Sequence, residues 1–190
     1  EVLTEKYGVG RTVLRQVFSQ LAGSGFLIHE PRRGWRVKEL TDDDLRDFLD
    51  IRETLELKAL ELALPHLQQS RLQSILDGNQ PDDRNRPQID NNLHEYFIGL
   101  ADNRYIQEFF KRYGSFYQPL FDYAALGGDV EGEMAAHHRE ILENLIRGEA
   151  APARDSLRKH IRAQYPAVLK VIETLGLRTA KQNLAETQLT

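Results

Sequence analysis

Asp90, His94, His138 and His160 are the side chains in this chain whose types and spacing point most directly to chemistry. One carboxylate and three imidazoles suit a first-row divalent ion such as zinc, nickel, manganese or iron(II). Asp90 and His94 stand four residues apart in a stretch with helical periodicity, so both point off one face. They flank Ile89, Leu93, Phe97 and Leu100, the apolar stripe of a helix expected over 88–101. His137 and His138 are neighbours and cannot share a direction. On a helix expected over 131–147, His138 falls inside the stripe of Met134, Ile141, Leu142 and Leu145, and His137 at its edge. His160 borders the stripe of Leu157, Ile161, Val168 and Ile172 on a helix expected over 150–175. An inward histidine can also be a hydrogen-bonded core residue. Three of them with a carboxylate in register are costly to bury without a shared partner. Cysteine is absent, which excludes a thiolate site and a disulfide framework.

The elements that must position these groups form a mainly α chain. Residues 1–8 read as a short helix, Gly8-Val9-Gly10 as a turn, and 11–23 as a second helix. At about 100° per residue, Val13, Leu14, Val17, Phe18 and Leu21 share one half of that helix. Arg11, Thr12, Arg15, Gln16, Ser19 and Gln20 share the other. Phe26-Leu27-Ile28 and Trp35-Arg36-Val37 read as a hairpin around Pro31-Arg32-Arg33-Gly34. Helix, turn, helix and hairpin make a winged helix-turn-helix. Thr41 followed by three aspartates is a helix start, and that helix is expected to run to Leu64, where Pro65 stops it. Residues 77–87 read as a loop. A further helix is expected over 103–125, with Gly127-Gly128 and Gly148 as punctuation.

The net charge of −4 hides an asymmetry: residues 1–38 hold seven Lys and Arg against three acids, a surplus of +4 that leaves −8 on the rest. A basic module on an acidic body is the distribution expected of a chain whose head approaches phosphates. Arg11, Thr12, Arg15 and Gln16 are placed to enter a major groove, where arginine can read guanine and glutamine adenine. Arg32 and Arg33 at the wing tip would reach phosphate or the minor groove, with Gly34 allowing the tight turn. The alternative is a polar helix face that is only solvated. No run of apolar residues is long enough for a membrane span. The opening Glu-Val-Leu-Thr is not a signal peptide, so the chain is expected in the cytoplasm.

The head, from Leu3-Thr4-Glu5-Lys6-Tyr7-Gly8-Val9-Gly10-Arg11-Thr12-Val13-Leu14-Arg15-Gln16 through Gly25-Phe26-Leu27 to Pro31-Arg32-Arg33-Gly34, resembles the GntR family of bacterial transcription regulators. Gly10, Val13 and Gln16 stand where that family usually has serine, proline and glutamate. The family's first helix would precede residue 1, so the head is expected to be incomplete. Asp90-x-x-x-His94, Asn103, His138-Arg139-Glu140-Ile141-Leu142, Gly148-Glu149 and His160 resemble the ligand domain of the FadR subfamily, the FCD domain. Leu93 stands in place of a phenylalanine there, and Ala136-His137 where glutamate is common before His138.

The resemblance implies a winged head over 1–40 and an all-α antiparallel bundle over 41–176 with a metal in a central cavity, and 177–190 reads as a polar tail. It implies Asp90, His94, His138 and His160 as ligands of zinc, or of nickel or manganese. Arg52, in Arg52-Glu53-x-Leu55-Glu56, matches a family motif and would clamp a small carboxylate effector, since its fork binds two oxygens. An ion pair with Glu53 or Glu56 is the other reading of Arg52. The implied function is that of a regulator, by family precedent a repressor, whose homodimer binds double-stranded operator DNA. A metal-dependent hydrolase or oxygenase is the alternative. It lacks an evident general base and leaves the basic head without a role.

Overall fold

The computed structural model describes residues 2–23, 25–85, 88–89, 92–114, 121 and 128–174. Asp90, Gly127, most of 115–125 and the tail 177–190 lie outside the described residues.

The head follows the expected order. Helix α1 (Val2–Tyr7) turns at Gly8, whose φ of +63° suits a residue without Cβ, into α2 (Arg11–Gly23). Strands β1 (Leu27–Glu30) and β2 (Gly34–Val37) pair antiparallel, Leu27 opposite Val37 and Glu30 opposite Gly34. The three-residue tip closes through Arg33 N–H donating to the Glu30 carbonyl at 3.0 Å. Arg32 (φ +68°) and Gly34 (φ +100°) take left-handed backbone conformations there. Trp35 packs on His29 and Phe18, with ring centroids 4.4 and 6.0 Å away. The apolar half of α2 is covered only in part: Leu14, Phe18 and Leu21 are half-buried, whereas Val13 and Val17 are exposed. Four-residue strands span about 13 Å and a thirteen-residue helix about 20 Å, so the hairpin is too short to cover the whole face.

The capping expected at Thr41 is present. Its hydroxyl accepts from Asp44 N–H at 3.0 Å while the Asp44 carboxylate accepts from Thr41 N–H at 2.9 Å. Helix α3 (Asp42–Ala63) ends in a tight turn at Leu64–His66, where Pro65 has no N–H to continue the ladder. Its inner face is Leu45, Phe48, Leu49, Arg52, Glu56, Leu57, Ala59, Leu60 and Ala63. Two ionisable groups therefore lie on an otherwise apolar stripe.

Helix α4 (Gln69–Gly78) was not among the expected elements, although Leu72, Ile75 and Leu76 bury a short helical stripe. Its few apolar positions and uncapped start at Gln68 make the local signal weak. Helix α5 (Asn92–Leu100) begins later than the expected residue 88, and Gln88 and Ile89 are not helical. The Asn103 side chain caps α6 (Arg104–Phe109), accepting from Tyr105 and Ile106 N–H at 3.1 and 3.2 Å. The chain then widens into a π turn, Phe110–Gly114, a distortion that often marks functional positions. Helix α7 (Gly128–Ile146) turns back at Gly148 (φ +77°) into α8 (Ala150–Thr174). Helix α8 packs on α7 and α3, α5 packs on α3, and α4 on α7. The core between them includes Leu45, Leu60, Leu72, Ile75, Leu93, Phe97, Ile141, Leu142, Leu157 and Ile161.

Candidate functional site

Three of the four expected ligands meet. His94 comes from α5, His138 from α7 and His160 from α8. Their Nε2 atoms form a near-equilateral triangle: 3.3 Å from His94 to His138, 3.2 Å from His94 to His160, and 3.3 Å from His138 to His160. His138 and His160 are buried and His94 nearly so.

Hydrogen bonds from outside the triangle set the proton on each ring. His94 Nδ1 lies 2.5 Å from Glu56 Oε2. A carboxylate only accepts, so Nδ1 carries a proton, and the neutral ring presents its Nε2 lone pair to the centre. Asn79, fully buried after α4, donates its Nδ2 to the Ile75 carbonyl at 2.8 Å, which turns its Oδ1 to His138 Nδ1 at 3.1 Å. His138 Nε2 is thereby turned toward the centre. Arg52 Nη1 donates to Gln164 Oε1 at 2.6 Å, so the Gln164 Nε2, 3.0 Å from His160 Nε2, is the donor. The third Nε2 accepts as well, and His160 Nδ1 keeps its proton without a partner among the described residues.

With all three rings neutral, lone pairs 3.2–3.3 Å apart repel one another and call for a shared cation. An ion bound at about 2.0–2.1 Å spaces its nitrogen ligands about 3.0 Å apart in an octahedron and about 3.4 Å in a tetrahedron. The observed triangle falls between them, and the donor set fits a divalent cation.

The electrostatics agree. Burial pushes the Glu56 carboxyl up, but Arg52 and His94 outweigh it and hold the group well below its ordinary value, ionised. Arg52 Nε donates to Glu56 Oε1 at 2.5 Å, and its guanidinium lies 4.7 Å from the centroid of Phe121. Burial, with the neighbouring His138 and His94, holds His160 well below its usual value of 6.5 and therefore neutral. The unfolded chain takes up that proton near pH 6.5 and the folded site does not. Stability of the chelated protein is therefore expected to fall as pH drops below about 6.5, by up to about 1.4 kcal/mol per pH unit. Glu56 adds its own loss only at lower pH. Urea midpoints between pH 8 and 5 measure this, and a flat profile is the contrary result.

A cavity of about 650 Å³ opens onto the triangle. Arg52, Glu56, Gln164 and the three histidines line it, with Phe48, Ile98, Phe110, Phe121, Val130 and Met134. Arg52 thus faces the cavity and also forms the ion pair with Glu56 that its spacing allowed. Asn79 and Gln164 were not anticipated. Gln164 carries a signal, one helical turn beyond His160, whereas nothing near Asn79 in the chain marks it. His137 is buried outside the triangle, its ring centroid 6.0 Å from that of His160.

In the head, Arg11, Thr12, Arg15 and Gln16 are exposed on α2, Arg32 and Arg33 are exposed at the hairpin tip, and Gly34 is half-buried beside them.

The sequence profile of the FCD domain matches residues 47–163, which span the cavity-lining helices from α3 into α8. The chain belongs to the FCD family. This FCD protein is 22% identical over 184 residues to the HTH-type transcriptional regulator YdhC of Bacillus subtilis (strain 168), covering 90% of this chain and 80% of the relative. It is 26% identical over 175 residues to the "Probable D-xylose utilization operon transcriptional repressor" of Paenarthrobacter nicotinovorans, covering 87% and 76%. Its fold is similar to that of Lar, which controls the expression of the Listeria monocytogenes agr system and mediates virulence. That likeness has a TM-score of 0.60 at 16% identity over 88% of this chain and 84% of Lar. Both of these relatives are named as transcriptional regulators. Among the described residues no helix is long and apolar enough to cross a membrane.

Proposed function

We propose that this FCD protein is a ligand-responsive repressor. A reading head over residues 1–40 is controlled by a sensor body over 41–176. His94, His138 and His160, together with Asp90, hold a divalent ion, zinc before nickel or manganese. The convergence of three Nε2 atoms at the cavity floor carries this reading. The ion would supply positive charge for a small carboxylate entering the cavity. Arg52 keeps Glu56 and Gln164 in place and faces the same space.

A homodimer would set two heads on the half-sites of a palindromic operator. Arg11, Thr12, Arg15 and Gln16 would address bases, and Arg32, Arg33 and the Gly34 turn the backbone. A ligand moves such heads only if it binds their two arrangements with different affinity. One route for that difference is short. Phe110 and Lys111 of the π turn line the cavity, and Arg112 beside them donates to the Gly23 carbonyl at the end of α2 at 3.3 Å.

The test has a ligand arm and a DNA arm. Thermal shift of zinc-loaded protein against a panel of carboxylic acids is expected to show stabilisation that vanishes on chelation. A shift that survives chelation separates metal from effector. Arg15→Ala is expected to cost about 1–3 kcal/mol of affinity for promoter DNA or to flatten its salt dependence. Unchanged affinity and salt slope would remove Arg15 from the interface.

A further inference from the structure

We propose that the effector is an amphipathic monocarboxylic acid with an apolar body, not a short polar acid. This rests on the reading of the cavity as an effector site and specifies what fills it. The polar groups of the floor form one connected cluster: Arg52 to Glu56, Glu56 to His94, Arg52 to Gln164, Gln164 to His160, and the three imidazoles together. Such a floor can satisfy one acidic head.

The walls above it are of another kind. Among the described lining residues, Phe48 from α3, Ile98 from α5, Phe110 from the π turn, Phe121, and Val130 and Met134 from α7 present rings and aliphatic groups, and Gln107 adds one amide. At about 30 Å³ for each water-sized group, an acid of two or three carbons leaves most of the 650 Å³ unfilled. Water in the remainder would face a wall that gives it few hydrogen bonds, and an apolar body displacing that water is favoured. The exposed Glu95 and Lys111 also line the cavity.

The experiment is calorimetric titration of the zinc-loaded full chain with acetate, lactate, butyrate, hexanoate, octanoate and octan-1-ol. Each methylene that enters the cavity is expected to tighten binding by up to roughly fourfold. Octanoate should then bind at least about tenfold tighter than butyrate. Acetate or lactate binding as tightly as octanoate would overturn the apolar body and leave carboxylate sensing standing. Octan-1-ol matching octanoate would overturn the acidic head. If no acid binds, the effector reading of the cavity falls, and this inference with it. Val130→Trp is expected to shift the affinity maximum toward shorter acids by occupying the wall, and Ile98→Trp serves if that variant does not fold. A chain-length profile unchanged in the folded variant would place the ligand elsewhere and overturn the proposal.

Discussion

Glu56→Gln is expected to destabilise this FCD protein by about 3–5 kcal/mol, because it strips the partner from a buried charge. The Arg52 guanidinium is the charge in question, and its side chain is 7% exposed. In the native protein the Glu56 carboxylate serves two donors, Arg52 Nε and His94 Nδ1, both at 2.5 Å. An amide of the same shape has one oxygen and cannot accept both. If its NH2 turns to His94, the imidazole must move its proton to Nε2, and the lone pair facing the cavity is lost. Zinc affinity is therefore expected to fall about 10–100-fold, the usual cost of removing a partner that orients a ligand. Urea unfolding and zinc competition against a chromophoric chelator give the two numbers. A stability loss below about 1 kcal/mol with unchanged zinc affinity would mean that the ion pair is solvated and His94 is oriented by other contacts.

His138→Ala is expected to reduce zinc affinity more than 100-fold, since removing a ligand costs more than removing the partner that orients it. The chelated variant should also lose about 1–3 kcal/mol, because Asn79 Oδ1 gives up its bond to the His138 ring inside the core. His137→Ala is the informative neighbour. That residue is as close in sequence as one can be, is also buried, and lies outside both the triangle and the cavity wall. Zinc affinity within about twofold of the native protein is expected for it. Equal losses in the two variants would show that the rings are damaging the fold rather than holding an ion.

Much of this architecture can be read from residue spacing. The apolar stripes of 92–100, 128–146 and 150–174 are long enough to orient each helix, and orientation alone turns His94, His138 and His160 inward and separates His138 from His137. Thr41 and Asp44 announce the start of α3 because their capping bonds are local. The head is legible for the same reason, since its turns depend on Gly8, Gly25 and Gly34 at positions of positive φ. Helix α4 was harder to see, with three buried residues and no side-chain cap. The late start of α5 also escaped the periodic reading, because an apolar stripe marks a face more firmly than an end.

By itself the sequence determined which helix faces carry imidazoles, where the basic head lies, and that no thiolate takes part. Only the tertiary structure decided which nitrogen of each ring faces the centre. Those protons are set by Glu56, 38 residues from His94, and by Asn79, 59 residues from His138. Arg52 shows the same division: its i+4 partner Glu56 could be read from the chain, whereas Gln164, 112 residues away, could not. A periodic pattern reports the direction a side chain leaves its helix. The distance between helices, and hence the hydrogen bonds and the cavity, exists only after they pack.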